Sequence, residues 1–177
     1  SANQTANTGF VYLQFANQDA RLHGFDPSGF ADLGKSAQWG QFTLSGMLNF
    51  VNGKNRTTGD HLYNIMPLNA RVALTQRLGA WTGTAEVLMV NGKSRLSAVR
   101  NELPTAGYGL LNLRASYEWK QVRLDFGIDN LFDRFYNHPQ GGAYLGQGRT
   151  MAATAVPWGV SVPGMGRSVS AGVTVKF

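Results

Sequence analysis

From Gly107 onward the chain alternates between apolar and polar residues. Leu111, Leu113, Ala115, Tyr117 and Trp119 are separated by Asn112, Arg114, Ser116 and Glu118. Val122, Leu124, Phe126 and Ile128 alternate with Arg123, Asp125, Gly127 and Asp129. The last stretch sets Val169, Ala171, Val173, Val175 and Phe177 against Ser168, Ser170, Gly172, Thr174 and Lys176. Strict period two over this length predicts strands with one apolar and one polar face. The same pattern predicts strands over 40–51, 68–77 and 80–90. In 9–26 the apolar parity slips near 16–20, which reads as one long strand with a bulge there, or as two short strands. The sum is about seven antiparallel strands.

Turn chemistry tests this reading. A two-residue turn at Lys120-Gln121 places Trp119 opposite Val122 and Glu118 opposite Arg123, so opposite charges meet and the apolar residues share a side. A turn at Leu78-Gly79 sets Arg71 opposite Glu86, Thr75 opposite Thr82, Val72 opposite Ala85 and Ala70 opposite Val87. The connections alternate in length. The short ones are 26–38, 78–79 and 120–121, and the long ones are 52–66, 92–106 and 132–165. Short turns at one end and long loops at the other are the pattern of an outer-membrane β-barrel, with the short turns periplasmic.

Trp39, Trp81 and Trp119 all fall beside the short turns, and Phe177 falls at the same end. Aromatics collect at a membrane–water interface, so these four form an expected girdle. The polar face then looks into a wet lumen, where Arg71, Glu86, Arg114, Glu118, Arg123, Asp125 and Asp129 stay solvated. Closing so many charges into a dry core would cost several kcal/mol each. Seven strands do not close a bacterial barrel, which takes an even number of about 8 or more. An open sheet leaves two unpaired edges in lipid. The whole of 1–177 is therefore expected to be a C-terminal piece of a larger barrel.

Composition sharpens this picture. Only 15% of the 177 residues are charged and 22 are glycine, against about 25% charged in an ordinary soluble domain. No apolar run approaches the ~20 residues of a spanning helix. The net charge is +6, but its Lys and Arg are scattered and no nucleic-acid motif accompanies them, so nucleic acid is not an expected partner. With no cysteine there is no disulfide framework and no thiolate ligand. "SANQTANTGF" lacks a signal-peptide pattern. "NRT" at 55–57 matches the N-glycosylation acceptor, a match that is incidental in a bacterial barrel.

The stretch "GLLNLRASYEWKQVRLDFGIDNLFDRFYNHP", followed by a long loop and "VPGMGRSVSAGVTVKF", resembles the C-terminus of TonB-dependent outer-membrane receptors. "NLFDRFY" (130–136) is its most characteristic part, with Asn130, Leu131, Phe132 and Asp133 closing the penultimate strand. "YNIMPLNARVAL", "AVRNELPTAGYGLLNLRASYEWKQ" and "PQGGAYLGQG" with "VPWGVSVPGMGRS" are similar to the copper receptors of that family. The resemblance implies an all-β fold, an antiparallel up-and-down transmembrane β-barrel. This chain would supply roughly the last third of about 22 strands. It implies a plug domain and a TonB box elsewhere in the receptor, energy delivered through TonB, and residence in the bacterial outer membrane against lipid and lipopolysaccharide. It also implies copper as the transported ligand. The terminal strand Val169 to Phe177 resembles the signal read by the outer-membrane assembly machinery.

No catalytic constellation is present: no Gly-x-Ser-x-Gly, no Walker-type loop and no His-Glu-x-x-His. The chain is not expected to be an enzyme, and no resident cofactor is implied. Copper favours thioether and imidazole ligands, and His61, Met66, His138, Met151 and Met165 lie on the long-loop side. For each of them a plain loop or packing role is the stronger reading. Loop 132–165 is expected to be an ordered extracellular loop over the barrel mouth. The leading function is therefore copper uptake. A ferric siderophore or cobalamin receptor is the second reading, and a structural or adhesion barrel without transport is the third.

Overall fold

The computed structural model describes residues 17–98, 102–141 and 161–176. Phe177, Met151 and Trp158 lie outside them, as do residues 9–16 of the expected first strand. Eight strands form one antiparallel sheet: β1 (Ala20–Phe25), β2 (Ser28–Ser36), β3 (Gly40–Asn55), β4 (Asn69–Leu78), β5 (Trp81–Val90), β6 (Tyr108–Trp119), β7 (Val122–Asp129) and β8 (Ser168–Val175). Each pairs with its neighbour in the order β1, β3, β4, β5, β6, β7, β8, and β2 also pairs β3.

β1 and β2 lie end to end along the same edge of β3. Arg21 faces Lys54, Phe25 faces Phe50 and Ser28 faces Met47 in one unbroken register. Only the missing N–H of Pro27 interrupts the strand, and the Pro27 carbonyl still accepts from Leu48 N at 3.0 Å. The eight strands therefore occupy seven places in the sheet. This corrects the expectation for the N-terminal part. The span 26–38 is strand for most of its length rather than a connection, and it carries a register shift between Asp32 and Gly34. β3 is correspondingly longer than 40–51, because it pairs both segments.

The 120–121 hairpin has the expected register, with Glu118 opposite Arg123 and Trp119 opposite Val122. The 78–79 hairpin does not. Its turn is Gly79-Ala80, so Leu78 pairs with Trp81, Thr75 with Thr84 and Val72 with Val87. The physical reason is Gly79, at φ 58. Two-residue hairpin turns need positive φ at the first central position, and glycine takes it without strain. A shift of two residues leaves every side chain on its expected face. Arg71 and Glu86 remain ion-paired at 3.6 Å, now as diagonal neighbours.

The two faces are the reverse of a soluble sheet. Among the described residues the buried hydrophobics are Ala73, Val90 and Leu110, and all three sit at polar-face positions of the register. On the apolar face Leu44, Leu74, Val87, Phe126 and Val173 are exposed and no element covers them. A continuous apolar face of this width is stable only against a partner or a hydrocarbon medium.

Candidate functional site

The polar face carries a ladder of charge. Arg114 Nη2 meets Asp129 Oδ1 at 2.6 Å, and Arg123 meets Asp125 at 2.9 Å and Glu118 at 3.6 Å. These side chains are about half exposed, so each pair contributes little to stability, and together they make a hydrated wall. Toward the long-loop end the ladder turns into a hydrogen-bonded chain. Glu86, held by Arg71, accepts from Asn112 Nδ2 at 3.0 Å, and Asn112 Oδ1 accepts from Asn130 N at 2.9 Å.

Asn130 is 3% exposed and has φ 51. Asparagine is one of the few non-glycine residues that adopt this left-handed conformation readily. Its amide donates to the carbonyls of Arg134 (2.9 Å) and Met165 (3.2 Å), and its Oδ1 accepts from Arg134 N (2.8 Å). Asp133 Oδ1 accepts from Arg167 N at 2.7 Å. The Asn130–Asp133 stretch thus folds the end of β7 into a turn that holds the start of β8 across the long loop. Leu131 N donates to Leu111 O at 2.8 Å, while Phe132 is exposed.

The three long loops are tied together at one buried ion pair. Lys93 Nζ lies 2.5 Å from Glu102 Oε1, with side chains 2% and 6% exposed. Lys93 also donates to Pro139 O at 2.8 Å. Glu102 accepts from Asn64 N and Ser97 N, each at 2.9 Å. One pair therefore joins the loops after β3, β5 and β7. Nearby, Tyr108 and Tyr136 stack at 4.3 Å, and His138 meets Tyr136 edge-on at 5.3 Å. Gly164 leaves room for the Tyr136 ring, which a Cβ there would overlap.

The metal candidates do not converge. His61 and Met66 line one cavity of about 290 Å³ with Phe50, Asn52, Leu62 and Arg95. His138 belongs to the aromatic stack, and Met165 is exposed with its carbonyl taken by Asn130. Among the described residues no three His, Cys, Asp or Glu side chains form a metal-binding group. Trp39, Trp81 and Trp119 adjoin the short turns and are 58%, 53% and 60% exposed. Val169, Ala171, Val173 and Val175 line the apolar face of β8, opposite Ile128, Phe126, Leu124 and Val122.

Sequence reasoning missed Lys93 and Glu102, which lie in stretches without periodicity. The available signal was a lone Lys and a lone Glu in the same polar loop.

Residues 1–131 match the family "TonB dependent receptor-like, beta-barrel". Heme/hemopexin utilization protein C of Haemophilus influenzae is 30% identical over 167 residues, which is 88% of this chain and 22% of that protein. Its counterpart from strain 86-028NP is 29% identical over 157 residues, 85% of this chain and 21% of that one. Among solved structures, copper transporter OprC superposes with a TM-score of 0.76 at 27% identity, over 91% of this chain and 24% of its own. The ferric yersiniabactin uptake receptor FyuA of Yersinia pestis gives 0.66 at 17% identity, over 89% and 24%, and shares the fold. The chain therefore spans less than a quarter of the length of these relatives. With 131 of its 177 residues matched to the family, and an antiparallel sheet with one apolar and one charged face, the chain belongs to the TonB-dependent receptors as part of their β-barrel.

Proposed function

We propose that this chain is the C-terminal barrel portion of an outer-membrane receptor that imports copper with energy supplied through TonB. The observation that carries the transport reading is the inverted sheet. Its uncovered apolar face suits hydrocarbon, and its ladder of ion pairs suits a hydrated lumen. On this reading Trp39, Trp81 and Trp119 form the periplasmic girdle, and Asn112, Asn130 and the Lys93–Glu102 pair stiffen the extracellular mouth. The plug, the remaining strands and the TonB contact lie elsewhere in the receptor. Lipid and lipopolysaccharide surround the barrel.

Copper is favoured by the likeness to OprC, the better-superposing of the two solved structures described above. The similarity to heme/hemopexin utilization protein C supports a second reading, a haem receptor. Purified full-length receptor separates them. Elemental analysis after dialysis against copper should show about one retained copper per receptor, and haemin should leave its absorbance spectrum unchanged. Haemin binding without copper retention would replace the first reading by the second. Retention of neither would overturn both.

A further inference from the structure

Among the described residues three buried side-chain atoms have no hydrogen-bond partner: Asn52 Oδ1, His61 Nδ1 and Thr105 Oγ1. Folded chains leave few such atoms, and each calls for a partner. Here they gather at one place. Asn52 and His61 both line the cavity of about 290 Å³ between the loops after β3 and β5. Thr105 exchanges backbone hydrogen bonds with Lys93, which lines the cavity too.

The strand register fixes how the lining groups lie. Phe50 and Asn52 are successive residues on one face of β3, about 7 Å apart at ~3.4 Å per residue, and that face is opposite the ion-pair ladder. His61 bridges Lys54, the next residue on the same face. Arg95 lines the cavity with its guanidinium 5.6 Å from the centre of the Phe50 ring, and it has no carboxylate within ion-pair distance among the described residues. Asp60 is not part of the lining. Its carboxylate accepts from His61 N, Ala98 N and Ser97 Oγ, and so ties the two loops together. Leu62, Met66 and Leu68 supply an apolar wall.

We propose that this cavity binds a free α-amino acid with an apolar side chain. Asn52 Oδ1 is an acceptor, and His61 Nδ1 accepts when Nε2 carries the proton. Two acceptors call for a donor such as an ammonium, and a guanidinium calls for a carboxylate. The short step from Asn52 to the Arg95-covered Phe50 matches a ligand that carries both charges close together. Its side chain then lies along Leu62, Met66 and Leu68. At the ~30 Å³ that a water takes in the liquid, the cavity holds about ten water-sized groups, the size of leucine or methionine. Water satisfies the two polar atoms but gains nothing from the apolar wall. Because Asn52 and His61 face away from the ladder, this site is separate from the transport path and independent of the cargo.

The test is isothermal titration of purified full-length receptor in detergent, with L-leucine as the probe. Two analogues each delete one charged end: 4-methylpentanoate lacks the ammonium and 3-methylbutylamine lacks the carboxylate. Leucine should bind, and each analogue should bind at least about 10-fold more weakly, the usual loss for one charge-assisted contact. Arg95→Gln should weaken leucine by about 10-fold and leave 3-methylbutylamine unchanged, since that analogue has no carboxylate to lose. His61→Phe should weaken leucine and 3-methylbutylamine alike. Lys35→Gln, at the short-turn end of β2, should change nothing. Absence of leucine binding at millimolar concentration would overturn the proposal and leave water as the occupant. Equal affinity for leucine and both analogues would overturn it as well, because the charged ends would then be idle. If a variant does not fold, the three ligands on the unmodified receptor still decide.

Discussion

Replacing Leu113 by arginine tests the assignment of the two faces. Leu113 lies on the apolar face, between Ala85 and Ile128. It is six residues from Trp119 along β6, about 20 Å at ~3.4 Å per residue. With the usual strand tilt of about 40° this places it ~15 Å above the tryptophan level, close to the middle of an apolar band ~25 Å tall. Arginine at that depth should cost about 2–4 kcal/mol. Val173 faces the same way but is level with Leu124, two residues from Val122 at the short-turn end. Its height is only ~5 Å by the same arithmetic, so Val173→Arg should cost about 0–1 kcal/mol. Ser116 faces the other way, opposite Asp125, and an arginine there meets a carboxylate and water. Equilibrium urea unfolding of the full-length receptor in lipid vesicles, followed by tryptophan fluorescence, reads all three. The expected order of destabilisation is Leu113→Arg, then Val173→Arg, then Ser116→Arg. Equal destabilisation by Leu113→Arg and Ser116→Arg would refute the face assignment. A loss at Val173 as large as at Leu113 would refute the depth scale.

Two further perturbations address the loop end. Asn130→Ala should cost about 2–3 kcal/mol, from the buried Arg134 and Met165 groups left unpaired, and Asn130→Gly about 1 kcal/mol less, because glycine keeps the positive φ; unfolding midpoints of the two variants check the difference. Lys93→Met strands a buried carboxylate and should cost about 3–5 kcal/mol locally. Hydrogen exchange should then rise together in 56–68, 91–98 and 137–141, and Lys93→Met/Glu102→Leu should recover much of the protection; a rise confined to 91–98 would show that the pair does not couple the loops.

The strands were legible where alternation was clean, and the misreadings have identifiable causes. In β2, Gly29 and Gly34 carry no side chain to mark a face, Pro27 breaks the hydrogen-bond ladder, and the shift after Asp32 reverses the parity. A strand disguised in this way reads as a connection. At the 78–81 turn the chemistry of the faces could not fix the register, because Thr75 finds a threonine partner at either 82 or 84. The turn itself decides it, through the backbone of Gly79. The loop-end site was hidden for a different reason. Lys93, Glu102 and Asn130 act through carbonyls and amides of other loops, and such contacts leave no period in the sequence.

This difference in legibility follows from what each part of the molecule must satisfy. A strand between hydrocarbon and water meets the same demand at every second residue, so its pattern repeats and is visible. The mouth must instead bring three loops of unequal length to one place without a hydrophobic core. The described residues do so with a few buried polar groups, each bonded several times: Asn130 to Arg134 and Met165, Lys93 to Glu102 and Pro139. Such anchors trade many weak contacts for a few that are costly to break. The consequence is an asymmetric response to substitution. Changes on the hydrated ladder, such as at Arg123, leave a solvated partner behind and should be tolerated, while single changes at Asn130 or Lys93 should loosen the loop end and leave the strands intact.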